Sequence, residues 1–210
     1  TLCNPSPYNA TNLKSRLNAG QHFVHMYSHG NYLYWGLNDA DGNNSVFNSY
    51  SVDSLTNSFP MIILTSSCNT SRFDVPTCLG EDFIGKKYGA VVYVGSSRLG
   101  ISDGRNTGYS LAYNGLFFNK LFADVPTAPH RLGSVMAEVK KYFIELCDNN
   151  VNCYRWLQYA INPFGDPEMP IYTCDYVWSI YPTFTTEGND ITVSFANTKV
   201  LAPKVRLISP

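Results

Sequence analysis

Apolar residues fall along this chain in three short unbroken runs and in several longer stretches spaced at three to four residues. The first run lies in "HFVHMYS" from His22, the second is "MIILTS" from Met61, and the third is "AVVYVGSS" from Ala90. Short, β-branched-rich runs ending in small polar residues are the pattern of parallel strands buried on both faces. Helical spacing occurs at Thr11–Ala19, with Thr11 or Asn12 as cap and Gly20 as stop, and again in "CLGEDFIGKKYG". It returns in 108–122 (Leu111, Leu116, Phe117, Leu121), in 131–147 (Leu132, Val135, Val139, Phe143, Leu146) and more briefly in 152–161. The stretch 38–51 reads as too polar for core. Strand, helix, strand and then more helices predict an α/β layer architecture around a mostly parallel sheet. From Tyr176 the pattern changes to alternating strands, "VWSIYPTFTT", "DITVSFAN" and "KVRLISP", broken by turn residues such as Glu187, Gly188 and Asn189. This reads as the start of a β-sandwich, with about 35 residues where a whole one needs ~100. The expected organisation is one α/β domain over 1–173 and the opening strands of a second over 174–210.

Composition narrows the classes. Hydrophobic residues make up 44% and charged residues 15%, which favours a packed globule over a disordered chain. A net charge of −1 offers nothing to nucleic acid or to an anionic membrane surface. No apolar run reaches the ~20 residues of a membrane span. No signal peptide is visible before "TLCNPSPYN", so a leader is expected to have been removed or to lie outside the chain. The mix of aromatics with Asn, Ser and Thr is common in exported proteins. None of the six cysteines has zinc-ribbon or Cys-x-x-Cys spacing. Cys147 and Cys153 bracket a polar turn, as a small disulfide loop or as two buried thiols, and the sequence leaves both readings open.

In open α/β sheets, chemistry sits at the carboxyl ends of parallel strands. The first run delivers His29 and Gly30 there, the second Cys68, and the third Ser96, Ser97 and Arg98. A cysteine and a histidine at neighbouring strand ends form a candidate dyad: the imidazole takes the thiol proton, the thiolate attacks a carbonyl, and the imidazolium protonates the leaving amine. The oxyanion needs N–H donors, and the backbones of Gly30 and Cys68 are the candidates. Alone, a cysteine after a buried strand reads as a packed small hydrophobe and His-Gly as a turn; together they favour the dyad. His22, His25 and His130 read as structural. The His22, His25, His29 spacing converges on a metal only in a helix, and this segment is poor helix material.

The stretches "VHMYSHGN", "PMIILTSSCNTSRFD", "CLGEDFIGKKYGAVVYVGSSRLG" and "NPFGDPEMPIYT" resemble, in this order, the gingipain family of cysteine peptidases, of the caspase-like clan. The resemblance covers Gln21 to Thr173. It implies a caspase-like three-layer α/β sandwich followed by immunoglobulin-like strands, and a secreted or cell-surface bacterial endopeptidase acting on polypeptides. It implies His29 as the catalytic histidine, Cys68 as the nucleophile, Gly30 and Cys68 as oxyanion donors, and the loop from Ser96 to Gly100, with Ser96, Ser97 and Arg98, as part of the substrate pocket. Such a sheet has two strands and a helix ahead of the histidine strand. Only 28 residues precede His29, so the front strands are expected from a missing N-terminal segment or a second chain. The acidic partner of the histidine and part of the pocket are expected there too. A transpeptidase of the same family, and a non-catalytic adhesion module on the same scaffold, are the alternatives.

Secondary candidates remain. Asp39, Asp41 and Asn43 alternate around Gly42, as a solvated turn or as ligands of a structural calcium, which the resemblance supports. No cofactor is required for the dyad chemistry. Arg98 reads as a partner for a substrate carboxylate or as a surface arginine. Asp103 and Glu81 are candidate acids for a basic substrate side chain. Trp35, Trp156 and Trp178 read as packing residues, and Asp166 as a turn former.

Overall fold

The computed structural model describes residues 8–38, 42–102, 108–122, 130–148, 151–171, 182–187 and 190–195. Two compact units divide the chain, 1–171 and 172–210. The first opens with helix α1 (Ala10–Asn18), whose cap is Asn9 rather than Thr11 or Asn12. The Asn9 side chain accepts the Asn12 amide at 3.0 Å and satisfies one of the helix's orphan donors. Strand β1 (Phe23–Met26) follows, then a three-stranded antiparallel sheet of β2 (His29–Asn31), β3 (Tyr34–Asn38) and β4 (Asn44–Asn48). The polar stretch 38–51 therefore does reach the core. Its strand alternates, and Phe47 is fully buried while its neighbours face outward.

After α2 (Ser49–Asp53) come β5 (Met61–Thr65), α3 (Leu79–Gly85) and β6 (Ala90–Ser96). Then α4 (Tyr109–Phe122), β7 (His130–Arg131), α5 (Leu132–Cys147), α6 (Val151–Ala160), β8 (Ile161–Phe164) and β9 (Pro170–Ile171) complete the unit. The central sheet runs in the order β1-β5-β6-β8. β1, β5 and β6 are parallel, and β8 pairs antiparallel along the far side of β6. The strands expected ahead of β1 are not among the described residues.

Every residue of β5 is buried, as a central strand covered on both faces requires. Its side chains alternate between two cores. Ile62 and Leu64, with Val92 and Val94, pack against α4, α5 and α6. Met61 and Ile63, with Val24, Met26 and Tyr93, pack against α1, α2, α3 and the small sheet. In the second core Trp35, Phe47, Phe83 and Tyr93 form one ring cluster with centroids 5.0 to 6.1 Å apart. Trp35 is thus core, while Trp156 is half exposed and donates its indole N–H to the Leu99 carbonyl at 2.8 Å. Trp178 lies outside the described residues. Asp166 is the turn former expected, its carboxylate accepting the Glu168 amide at 2.8 Å.

In the second unit β10 (Pro182–Glu187) pairs antiparallel with β11 (Asp190–Phe195). That pair is what the described residues hold there; a sandwich is not among them, and "KVRLISP" falls outside.

Candidate active site

The register of the parallel pair β1 and β5 places Met26 beside Thr65. Both strands therefore release their chains side by side at the same edge. His29 follows three residues after Met26, and Cys68 three after Thr65. The two exits are joined by the hydroxyls of Ser28 and Ser67, 3.1 Å apart. Between them opens a cavity of about 380 Å³ lined by Tyr27, Ser28, His29, Ser66, Cys68, Gly100, Ile101, Ser102 and Ser110. Cys68 and His29 thus share one cavity. The Cys68 thiol is half buried and His29 is exposed.

Backbone geometry around Cys68 is unusual. Asn69 adopts φ +60°, a left-handed conformation that asparagine tolerates better than most residues. Its amide donates to the Arg98 carbonyl at 2.9 Å, and Ser71 donates to Ser96 at 3.0 Å. The Cys68 loop is therefore tied to the loop that follows β6. Gly30 packs directly on the same loop: a Cβ there would lie 2.8 Å from Ser67 Cβ and 2.9 Å from the Cys68 carbonyl, so no side chain fits.

From the cavity wall a polar line runs through buried Ser66 and Asn114 to the more exposed His25. Ser66 Oγ donates to Asn114 Oδ1 at 2.9 Å, and Asn114 Nδ2 then faces His25 Nε2 at 2.9 Å. With its oxygen occupied, Asn114 donates to His25, which accepts as a neutral ring. Burial also lowers the His25 pKa, and the ring meets Phe118 edge-on at 5.3 Å. His25 is thereby structural.

Ser96, Ser97 and Arg98, expected in the pocket, lie elsewhere. Ser96 and Ser97 are buried and do not line the cavity; Ser96 Oγ donates to the Arg98 carbonyl at 2.8 Å and Ser97 Oγ to that of Ala160 at 3.0 Å. Arg98 forms a two-pronged ion pair with Asp74, at 3.1 and 3.2 Å. At the end of the expected loop Gly100 does line the cavity, together with Ile101 and Ser102 beyond it. Ser96 still belongs to β6, where it pairs with Ile161, and Ser97 is turned toward the end of α6. Glu81 caps α3 by accepting the Cys78 amide at 2.8 Å and does not face the cavity. Asp103, Asp39 and Asp41 lie outside the described residues, while Asn43 is exposed just before β4. Among the described residues no group of three or more His, Cys, Asp or Glu side chains is placed to hold a metal.

Cys78 is the other thiol near the site's scaffold. Burial pushes it up to about 11, so at neutral pH it is an inert thiol. Cys147 donates to the Phe143 carbonyl at 3.2 Å and forms no disulfide, so the loop to Cys153 is not closed covalently. Sequence reasoning missed Ser110 and Asn114. Their signal was available: two polar residues at i and i+4 sit on the same helical stripe as Phe117 and Leu121, where an ordinary core helix carries apolar side chains.

The sequence model of Peptidase family C25 matches residues 3–172. No curated protein matches the chain. Three solved structures share the fold. The complex of Porphyromonas gingivalis RgpB pro- and mature domains superposes with a TM-score of 0.63 at 18% identity, covering 81% of this chain and 39% of that one. A crystal structure of the Arg specific cysteine proteinase gingipain R (RGPB) gives 0.59 at 19%, covering 81% and 38%. One described as "Structure of Protease" gives 0.55 at 19%, covering 88% and 44%. The chain thus spans less than half the length of the structures it matches.

Proposed function

The chain belongs to Peptidase family C25, and from that premise we propose that it is a cysteine endopeptidase whose nucleophile is Cys68 and whose acid–base group is His29. The observation that carries this reading is the shared cavity: thiol and imidazole leave adjacent parallel strands and line the same 380 Å³ space. His29 takes the thiol proton. The thiolate bonds to the scissile carbonyl carbon, and the carbonyl electron pair moves to oxygen. The N–H groups of Gly30 and Cys68 receive that oxyanion. The pair returns, the C–N bond breaks, and the imidazolium protonates the leaving amine. Water then gives a proton to His29 and attacks the thioester, releasing the acid.

The substrate is a polypeptide, and the enzyme works outside the cell or on its surface. Composition and family support that setting. Among the described residues no helix is long and apolar enough to cross a membrane. β1 ends the described sheet, and a further segment or chain pairing there would extend it. The chemistry draws its proton and electron pairs from Cys68 and His29 and calls for no cofactor. A calcium at Asp39, Asp41 and Asn43 would be structural.

The test is iodoacetamide labelling of Cys68 at pH 7, followed on the Cys68 peptide by mass spectrometry, beside hydrolysis of an unfolded protein substrate. His29→Ala is expected to slow both, the hydrolysis by roughly 10²–10⁴-fold, the usual worth of a general acid–base group. Labelling of Cys68 at the wild-type rate in His29→Ala would sink the dyad and leave a binding module on a peptidase scaffold.

A further inference from the structure

We propose that the backbone N–H of Gly100 is a catalytic group that carries the charge of the Cys68 sulfur, and that Ser110 is the positioning residue that aims it. This rests on Cys68 acting as the nucleophile. The Gly100 amide donates to Cys68 Sγ at 3.2 Å. Only glycine permits that approach, since a Cβ there would lie 2.9 Å from the Ser66 carbonyl oxygen and 3.7 Å from Sγ itself.

The loop bearing this amide is fixed on both sides of it. Before Gly100, the Arg98 carbonyl accepts the Asn69 amide, one residue after the nucleophile, at 2.9 Å. After Gly100, Ser110 grips Ile101 at two points. Its Oγ accepts the Ile101 amide at 3.0 Å, and its own amide donates to the Ile101 carbonyl at 3.1 Å. Ser110 is 4% exposed and stands at the start of α4, so the grip is anchored in a helix packed on the sheet.

A hydrogen bond to an ionised acceptor is roughly twice as strong as one to a neutral acceptor, so this N–H favours thiolate over thiol. That gain is partly offset, because a stabilised thiolate is a weaker nucleophile. With a Brønsted coefficient of about 0.4–0.5, a tenfold rise in thiolate fraction leaves a net gain of about threefold. The larger benefit comes later. When water attacks the thioester, the C–S bond breaks and its electron pair returns to sulfur. The N–H is already aimed where that charge develops.

The experiment uses the whole chain and four variants: Ser110→Ala, Ser110→Thr, Gly100→Ala and His29→Ala. Each is followed by Cys68 labelling at pH 7, by kcat and KM for peptide hydrolysis, and by thermal melting. Ser110→Ala is expected to slow labelling about threefold and to lower kcat at least as much, with KM and melting temperature little changed. Ser110→Thr, which keeps the hydroxyl, restores most of both. Gly100→Ala, which forces the loop off the sulfur, loses more than Ser110→Ala. Wild-type labelling and kcat in Ser110→Ala, or loss in it that Ser110→Thr does not recover, overturns the assignment while leaving the dyad standing. Wild-type labelling in His29→Ala instead removes the dyad, and with it the premise.

Discussion

At the scale of single residues, the histidines separate by what they touch. His25 is held neutral by desolvation and by the Asn114 amide pointing at it. Its pKa is depressed in the fold, so the unfolded chain binds the proton more readily. The contribution of this site is therefore full above the ordinary histidine value of ~6.5 and is lost as pH falls through the lower folded value. Melting curves from pH 7.5 to 5 are expected to show a shallower acid decline in His25→Gln than in the wild type. Asp74 behaves in the same sense at lower pH. Desolvation is the largest single influence and pushes its carboxyl up, but the Arg72 hydrogen bond, the Arg98 charge, a backbone hydrogen bond and the Arg72 charge together outweigh it and hold the carboxyl below the usual range. Its grip on Arg98 persists above the ordinary carboxylate value and fades as pH falls through the depressed one. Asp74→Asn is expected to leave folding at neutral pH nearly unchanged, since the pair is exposed, and to slow Cys68 labelling only modestly. Both thiols near the site are also distinguishable: Cys78 is buried with a raised pKa and should remain unlabelled while Cys68 reacts.

At the scale of elements, the sheet-forming runs were legible because a strand buried on both faces leaves an unbroken apolar signature, as in Met61 to Leu64. The helices at 109–122 and 132–147 were legible from their apolar spacing to within one residue. β4 and β8 were not. Phe47 alone enters the core from a polar strand, and the Ile161–Phe164 segment is paired by β6 across a long sequence interval that periodicity does not see. The same limit applied at the site. The strand ends carrying His29 and Cys68 could be named, but which residues of the next loop reach the cavity depended on where β6 stops. Phe83 tests the packing of α3 on the sheet. It is fully buried in the ring cluster with Trp35 and Tyr93, and Phe83→Ala is expected to cost about 3–5 kcal/mol, read by urea denaturation.

For the whole molecule, both cores and every residue lining the cavity belong to the first unit. A chain ending at residue 171 is therefore expected to melt cooperatively and to keep the labelling rate of Cys68. Loss of either would assign part of that unit's stability to the residues beyond. The cavity itself is built from two kinds of backbone. The proposed dyad follows buried parallel strands, whereas Ile101 sits on a loop whose main chain is held by Ser110. The Ile101 side chain can thus change without disturbing the main-chain contacts that fix the loop. For a lineage of such proteins this amounts to a division of heritable labour. Drift at one half-buried position of the cavity wall could explore new diets of peptide, while the proposed cutting machinery is inherited intact.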